Sequence, residues 1–246
     1  MSKLFLRTSM FAVAALFAQA AMADAGFKVR GGVASNNYDL EVTCSGCTGK
    51  VTSKYTSTNL GLTYVTPIGL YFDLSGSTGS GDHDLYTTSQ PFKRTDQAFV
   101  VGMSGLGPAS VYVGYKSGTT DISAPPSLAP FTKDTFTAKG LILGGGAGFP
   151  LGEGGRAGAI GVNAGIGLMK ANWKEDGNFP LDINAKTAVG FSFGASYTYP
   201  ITSNFGVTAD VKYNSYSYDF SDSNGGATFK IDEKITAIGA SVYAKF

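Results

Sequence analysis

Ile235-Thr-Ala-Ile-Gly-Ala-Ser-Val-Tyr-Ala-Lys-Phe246 ends the chain, and its reading decides the fold. Counting back from Phe246, every second residue is apolar: Ala244, Val242, Ala240 and Ile238. The other parity, Lys245, Tyr243, Ser241, Gly239 and Ala237, is smaller and wetter. That is the period of a strand with one face in hydrocarbon and one in a tight polar interior.

The same alternation runs back along the chain. Strands are predicted at 27–35, 56–66 and 70–75, then at 97–104, 109–116 and 135–149. Ile160, Val162, Ala164, Ile166 and Leu168 form the cleanest ladder, backed by Gly161, Asn163, Gly165 and Gly167. Val189 to Tyr199 and Phe205 to Tyr213 precede the closing strand. Tyr216, Tyr218 and Phe220 break the parity set by Tyr213, which predicts a bulge there. Connections after odd-numbered strands read as long and polar, those after even-numbered strands as short. That asymmetry belongs to an even-stranded barrel with both termini on one side. The expectation is an all-β fold, a closed antiparallel transmembrane β-barrel of ten strands. Region 79–98, which could form an extended hairpin arm, leaves eight or twelve open.

A final strand of this kind, closing on Phe, resembles the terminal signature of bacterial outer-membrane β-barrel proteins. The second aromatic often found two residues before the end in that family is here Ala244. The resemblance implies insertion by the outer-membrane assembly machinery, which would read the last strand, with Phe246, Ala244, Tyr243 and Val242 as the signal. Outer-membrane lipid and lipopolysaccharide are the surroundings it implies.

Residues 1–23 read as a cleaved signal peptide: basic Lys3 and Arg7, a short apolar run from Met10 to Ala18, then Ala21-Met22-Ala23. Residues 24–246 form the barrel domain. Loss of two basic and no acidic residues takes the formal charge from +1 to −1. With 15% charged residues the chain has no electrostatic footprint for nucleic acid. Its 34 Gly, 13 Tyr and 17 Phe suit strands with small lumen residues and interfacial aromatics.

Lys28, Arg30, Asp73, Asp210 and Lys212 fall on inward positions near the strand ends and form a candidate lumen charge layer. An ion-paired plug is the favoured reading of that layer, and a narrow charge-lined pore is the other. Tyr197 and Tyr199 are expected in a periplasmic aromatic girdle, with Trp173, Tyr216 and Tyr218 in an outer one. Cys44-Ser45-Gly46-Cys47 reads as a small disulfide ring at the first outer loop, ahead of metal capture. His83 reads as a solvated loop histidine: in an extended segment Asp82 and Asp84 point away from it. Glycine runs at 144–146 and 161–167 lack the Gly-Lys-Ser/Thr of a phosphate loop and read as strand glycines. No catalytic set, metal site or cofactor is expected. The functional expectation is a structural or surface-interaction barrel acting through its outer loops. A narrow porin-like channel is the alternative, and an outer-membrane hydrolase trails both.

Overall fold

The computed structural model describes residues 25–84, 89–106, 108–176, 182–221 and 228–246. The leader read in residues 1–23, and most of the last outer connection, lie outside these. Eleven strands follow one another: β1 (Gly26–Cys44), β2 (Cys47–Val65), β3 (Leu70–His83), β4 (Gln90–Leu106), β5 (Ala109–Ser123), β6 (Lys133–Pro150), β7 (Ala159–Glu175), β8 (Asp182–Asn184), β9 (Ala188–Pro200), β10 (Phe205–Ser221) and β11 (Thr228–Lys245). Each long strand pairs antiparallel with its sequence neighbours, and β1 pairs with β11 from Lys28↔Lys245 to Cys44↔Phe229. Ten strands therefore close a barrel, β9 joining β7 directly. The three-residue β8 carries the wall upward where the 13-residue β9 ends. Its continuation bridges to β10 through Ala185↔Phe220.

Closure reaches the last residue. Phe27 and Phe246 exchange both backbone hydrogen bonds, at 3.1 and 2.9 Å. The Phe246 ring projects outward beside Ala244 and Val242, while Tyr243 turns inward and is buried. Backbone groups in hydrocarbon must bond to one another, and a closed ladder does this without leaving an edge.

Strands are longer than the alternation alone predicts. β1 and β2 each run 19 residues and meet at a two-residue turn, Ser45-Gly46, with Gly46 at φ 84°. The polar stretch read as the first outer loop is instead a continuing hairpin, and β3 and β4 likewise extend to His83 and Gln90. A 19-residue strand is roughly 60 Å long. At a tilt of about 40° it rises ~45 Å, well beyond an apolar band of about 25 Å.

The wall therefore has two storeys, and the polarity code inverts between them. In the lower storey outward residues are apolar, such as Val29, Leu62, Val113, Leu143, Val162 and Val242, all exposed. Higher on the same strands the outward residues are Asn37, Asp39, Thr52, Lys54, Thr137 and Lys234, while large side chains turn in. This removes the bulge expected on β10. Tyr213 to Phe220 keep an unbroken register with both β9 and β11 as far as those ladders run. Tyr216, Tyr218 and Phe220 face inward because the strand has left the membrane there. The register irregularity lies instead between Met103 and Leu106, at the β4–β5 turn.

At the border the first outward residue above the last apolar one is uncharged on seven strands, Ser35, Thr58, Gly76, Gln97, Ser117, Ser215 and Thr236, and exposed Thr187 stands just before β9. On β6 and β7 it is Lys139 and Lys170. Higher up, Lys50, Lys54, Lys93, Lys174, Lys230 and Lys234 each stand directly across from a carboxylate, those of Glu41, Asp82, Asp121, Asp182, Asp219 and Asp39.

The connection from β5 to β6 carries a short 3₁₀ turn at Pro126–Leu128 and is tied to the end of β7. The Asp176 carboxylate accepts from Thr132 Oγ1 at 2.6 Å, Thr132 N at 3.0 Å and Lys133 N at 2.7 Å. These donors, the Thr132 hydroxyl first, hold its pKa below the usual carboxylate range.

The inversion sets a test with two variants on one strand face. Leu143→Arg, in the apolar band, should destabilise the folded barrel by roughly 2–4 kcal/mol. Thr137→Arg, six residues up the same face, should stay within about 0.5 kcal/mol of the unaltered protein. Denaturant unfolding in lipid vesicles measures both.

Candidate functional site

The interior is filled at two levels with a cavity between them. The lower level starts from residues marked in the sequence. Arg30 on β1 donates from Nη1 to Asp73 Oδ2 at 2.7 Å and from Nη2 to Asp73 Oδ1 at 2.9 Å. Thr63 on β2 lies between them, accepting from Arg30 Nη1 at 2.7 Å and donating to Asp73 Oδ2 at 2.6 Å. Asp73 is 1% exposed, so this bidentate pair satisfies a charge that the interior could not otherwise hold. Lys28 sits with Nζ 4.2 Å above the Tyr243 ring. Asp210 and Lys212, two apart on one face of β10, form a separate pair at 3.4 Å. The five charges thus split into one buried fork, one cation–π contact and one looser pair.

Glycines make this level possible. A Cβ on Gly61 would collide with the Arg30 guanidinium, and one on Gly206 with Tyr243. Gly144 and Gly165, directly paired across β6 and β7, both lie against the Tyr112 hydroxyl. Inward glycines, those of the two runs among them, thus make room for tyrosines, and Gly61 for an arginine, inside a narrow barrel.

The upper level was not legible as a site. Arg94 on β4 is 3% exposed and Glu233 on β11 is 1% exposed. Arg94 Nη1 donates to Glu233 Oε1 at 2.6 Å and to Thr120 Oγ1 at 2.7 Å. Its Nε and Nη2 donate to Asp96 Oδ2 and Oδ1, each at 2.9 Å. The guanidinium carbon lies 5.2 Å from the Tyr38 ring centroid, and Tyr218 Oη donates to Glu233 Oε2 at 3.3 Å. Apolar side chains surround this network: Leu40, Val51, Phe92, Ile122, Phe136, Trp173, Phe220 and Ile231 belong to one buried cluster. Barrel strands other than β3 contribute to that cluster, so it spans the lumen.

That cluster corrects the expected outer girdle. Trp173 is 7% exposed, Tyr216 2% and Tyr218 0%, and all three point into the barrel. Above the membrane the outside is water, so large rings move to the inside. Tyr197 and Tyr199 do face outward at the lower end, Tyr197 Oη donating to Ala157 O at 2.8 Å. Parity alone reaches Arg94 and Glu233: each keeps the inward register of Val100 or Ile235, carried upward past the last apolar outward residue.

Between the levels lies a cavity of ≈ 190 Å³, walled by Asn36, Ser57, Asp96, Lys116, Ser192 and Asp210 among others. Asn163, Ser192 and Ser196 turn polar atoms inward that no protein group satisfies. His83 is not the solvated residue expected. It is 2% exposed at the top of β3, with Nε2 2.8 Å from the Ser123 carbonyl oxygen. Asp82 points outward, and Asp84 accepts from Thr52 N at 3.3 Å. Cys44 and Cys47 face each other across the β1–β2 turn, Cα–Cα 5.1 Å, joined as a disulfide. Among the described residues no cluster of three or more His, Cys, Asp or Glu is arranged to hold a metal.

No protein-family model and no curated protein sequence matches the chain. Solved structures do. The chain is similar to the outer membrane protease OmpT from Escherichia coli, at 10% identity and TM-score 0.59, over 90% of this chain and 97% of that one. It also matches the translocator domain of autotransporter NalP from Neisseria meningitidis at 13% identity and TM-score 0.49, over 92% and 90%. A third match is outer membrane protein OprG from Pseudomonas aeruginosa at 13% identity and TM-score 0.40, over 91% and 98%. At such identities the likeness is one of fold: a closed antiparallel β-barrel similar to that of the outer membrane protease OmpT.

Arg94→Ala should destabilise the barrel by about 3–5 kcal/mol, because it strands the Glu233 carboxylate in an apolar surround. Adding Glu233→Gln to that variant should recover part of the loss. Guanidinium unfolding of the single and double variants reads both.

Proposed function

We propose that this barrel resides in the outer membrane as a closed structural element, its role exercised at the outer surface by the projecting upper storey and its connections. The observation that carries the reading is the buried cluster around Arg94 and Glu233, which fills the lumen above the membrane. A barrel of ten strands has little interior room, and here large side chains occupy it.

A narrow channel for small solutes is the second reading. The cavity between the two levels favours it, with Arg30, Lys116, Asp210 and Lys212 on its wall. Inward polar atoms without protein partners suit a hydrated path.

Single-channel recording of the folded protein in a planar bilayer separates the two. The unaltered barrel should stay silent. Reproducible steps whose size changes when Arg30 or Asp210 is neutralised would establish the channel instead.

Assembly is the second measurable consequence. Phe246 closes the ladder on Phe27 and offers its ring outward at the lower rim. Deleting it should lower the yield of folded barrel in cell membranes, read by gel migration with and without heating. Undiminished yield would remove the terminal residue from the assembly signal.

A further inference from the structure

Lys139 and Lys170 are directly opposed on β6 and β7, and both are exposed on the outer wall. Like charges in direct cross-strand register, with Cβ atoms about 5 Å apart, repel one another. The remaining neighbour of Lys139 in register, Ser117 on β5, is uncharged. Six outward lysines higher on the wall stand across from carboxylates instead. These two are also the charged members of the otherwise neutral border ring. Directly below them runs an apolar row, Tyr115, Leu141, Leu168 and Val189, each paired with the next.

We propose that Lys139 and Lys170 form a binding site for the phosphate of an outer-leaflet lipid headgroup. Charge and depth argue for this occupant together. A phosphate between the two ammonium groups converts their repulsion into paired attraction. Its acyl chains then descend across the Tyr115–Val189 row, which a free anion would leave uncovered. The row and the lysines follow one another along the strands, in the order in which a phospholipid or phosphorylated glycolipid presents chain and headgroup.

The test takes the full chain as folded barrel in non-ionic detergent and measures binding of bisphosphorylated lipid A and of the same lipid stripped of its phosphates. The phosphorylated lipid should bind more tightly. K139Q/K170Q should weaken that binding roughly tenfold or more, as two lysines beside an anionic headgroup would. K54Q/K234Q, which alters lysines already facing carboxylates, should bind as the unaltered protein does. Equal binding of the two lipids by the unaltered barrel overturns the site, as does an equal loss in both double variants. If K139Q/K170Q fails to fold, K170Q and the two-lipid comparison decide. Displacement of the lipid by inorganic phosphate alone would also overturn it, by assigning the lysines to free anions. The site rests on the membrane reading of the barrel. Binding without phosphate preference would strike the site alone, whereas failure to hold either lipid would strike that reading as well.

Discussion

The ladder between β1 and β11 is the contact on which the rest of the molecule depends. Without it the wall would present two rows of unpaired backbone groups to lipid, each costing several kcal/mol. It joins the two ends of the described chain, from Phe27 against Phe246 to Cys44 against Phe229. Every inward position is then committed to a lumen of fixed width, so side-chain size inside is set by closure. Glycine beside Tyr112, Tyr243 and Arg30 is a direct outcome of that width.

Within the lumen, two arginines solve the same electrostatic problem differently. Arg30 forms a single fork with Asp73, reinforced by Thr63, and the glycine-rich wall leaves a cavity above it. Arg94 is shared between Asp96 and Glu233 and enclosed by aromatic rings. Such pairs stabilise little over an apolar filling of the same shape, yet they are costly to break one-sidedly. The first links β1 with β3 over Thr63 on the intervening β2, along the wall; the second links β4 with β11, separated by three strands in the wall, across the lumen.

The lower storey was legible in the sequence almost residue by residue, because lipid outside and small polar groups inside produce strict alternation. Ten strands, the short lower turns and the inward positions of Lys28, Arg30, Asp73, Asp210 and Lys212 all follow from it. The upper storey was misread for the same reason. A strand leaving the membrane exchanges the chemistry of its two faces without changing geometry. Reading by polarity therefore ended β1 at Ser35, turned Tyr216 and Tyr218 outward, and left Arg94 and Glu233 unnoticed. Polarity likewise reads His83 as part of a solvated loop, although the alternation that turns Asp73 inward, continued along β3, places it inside. Nothing in the alternation marks Lys139 and Lys170 as a pair, since their opposition exists only once the β6–β7 register is known.

The crossing from one storey to the other has an evolutionary reading. On β6 the switch falls between Leu141 and Lys139, two positions on one face. Below it, drift on the outer face is confined to apolar residues; above it, the same face can change charge while the buried face cannot. A single strand thus obeys two substitution codes. An alignment of relatives, coloured by polarity alone, would look like two different proteins spliced at the level of the headgroups.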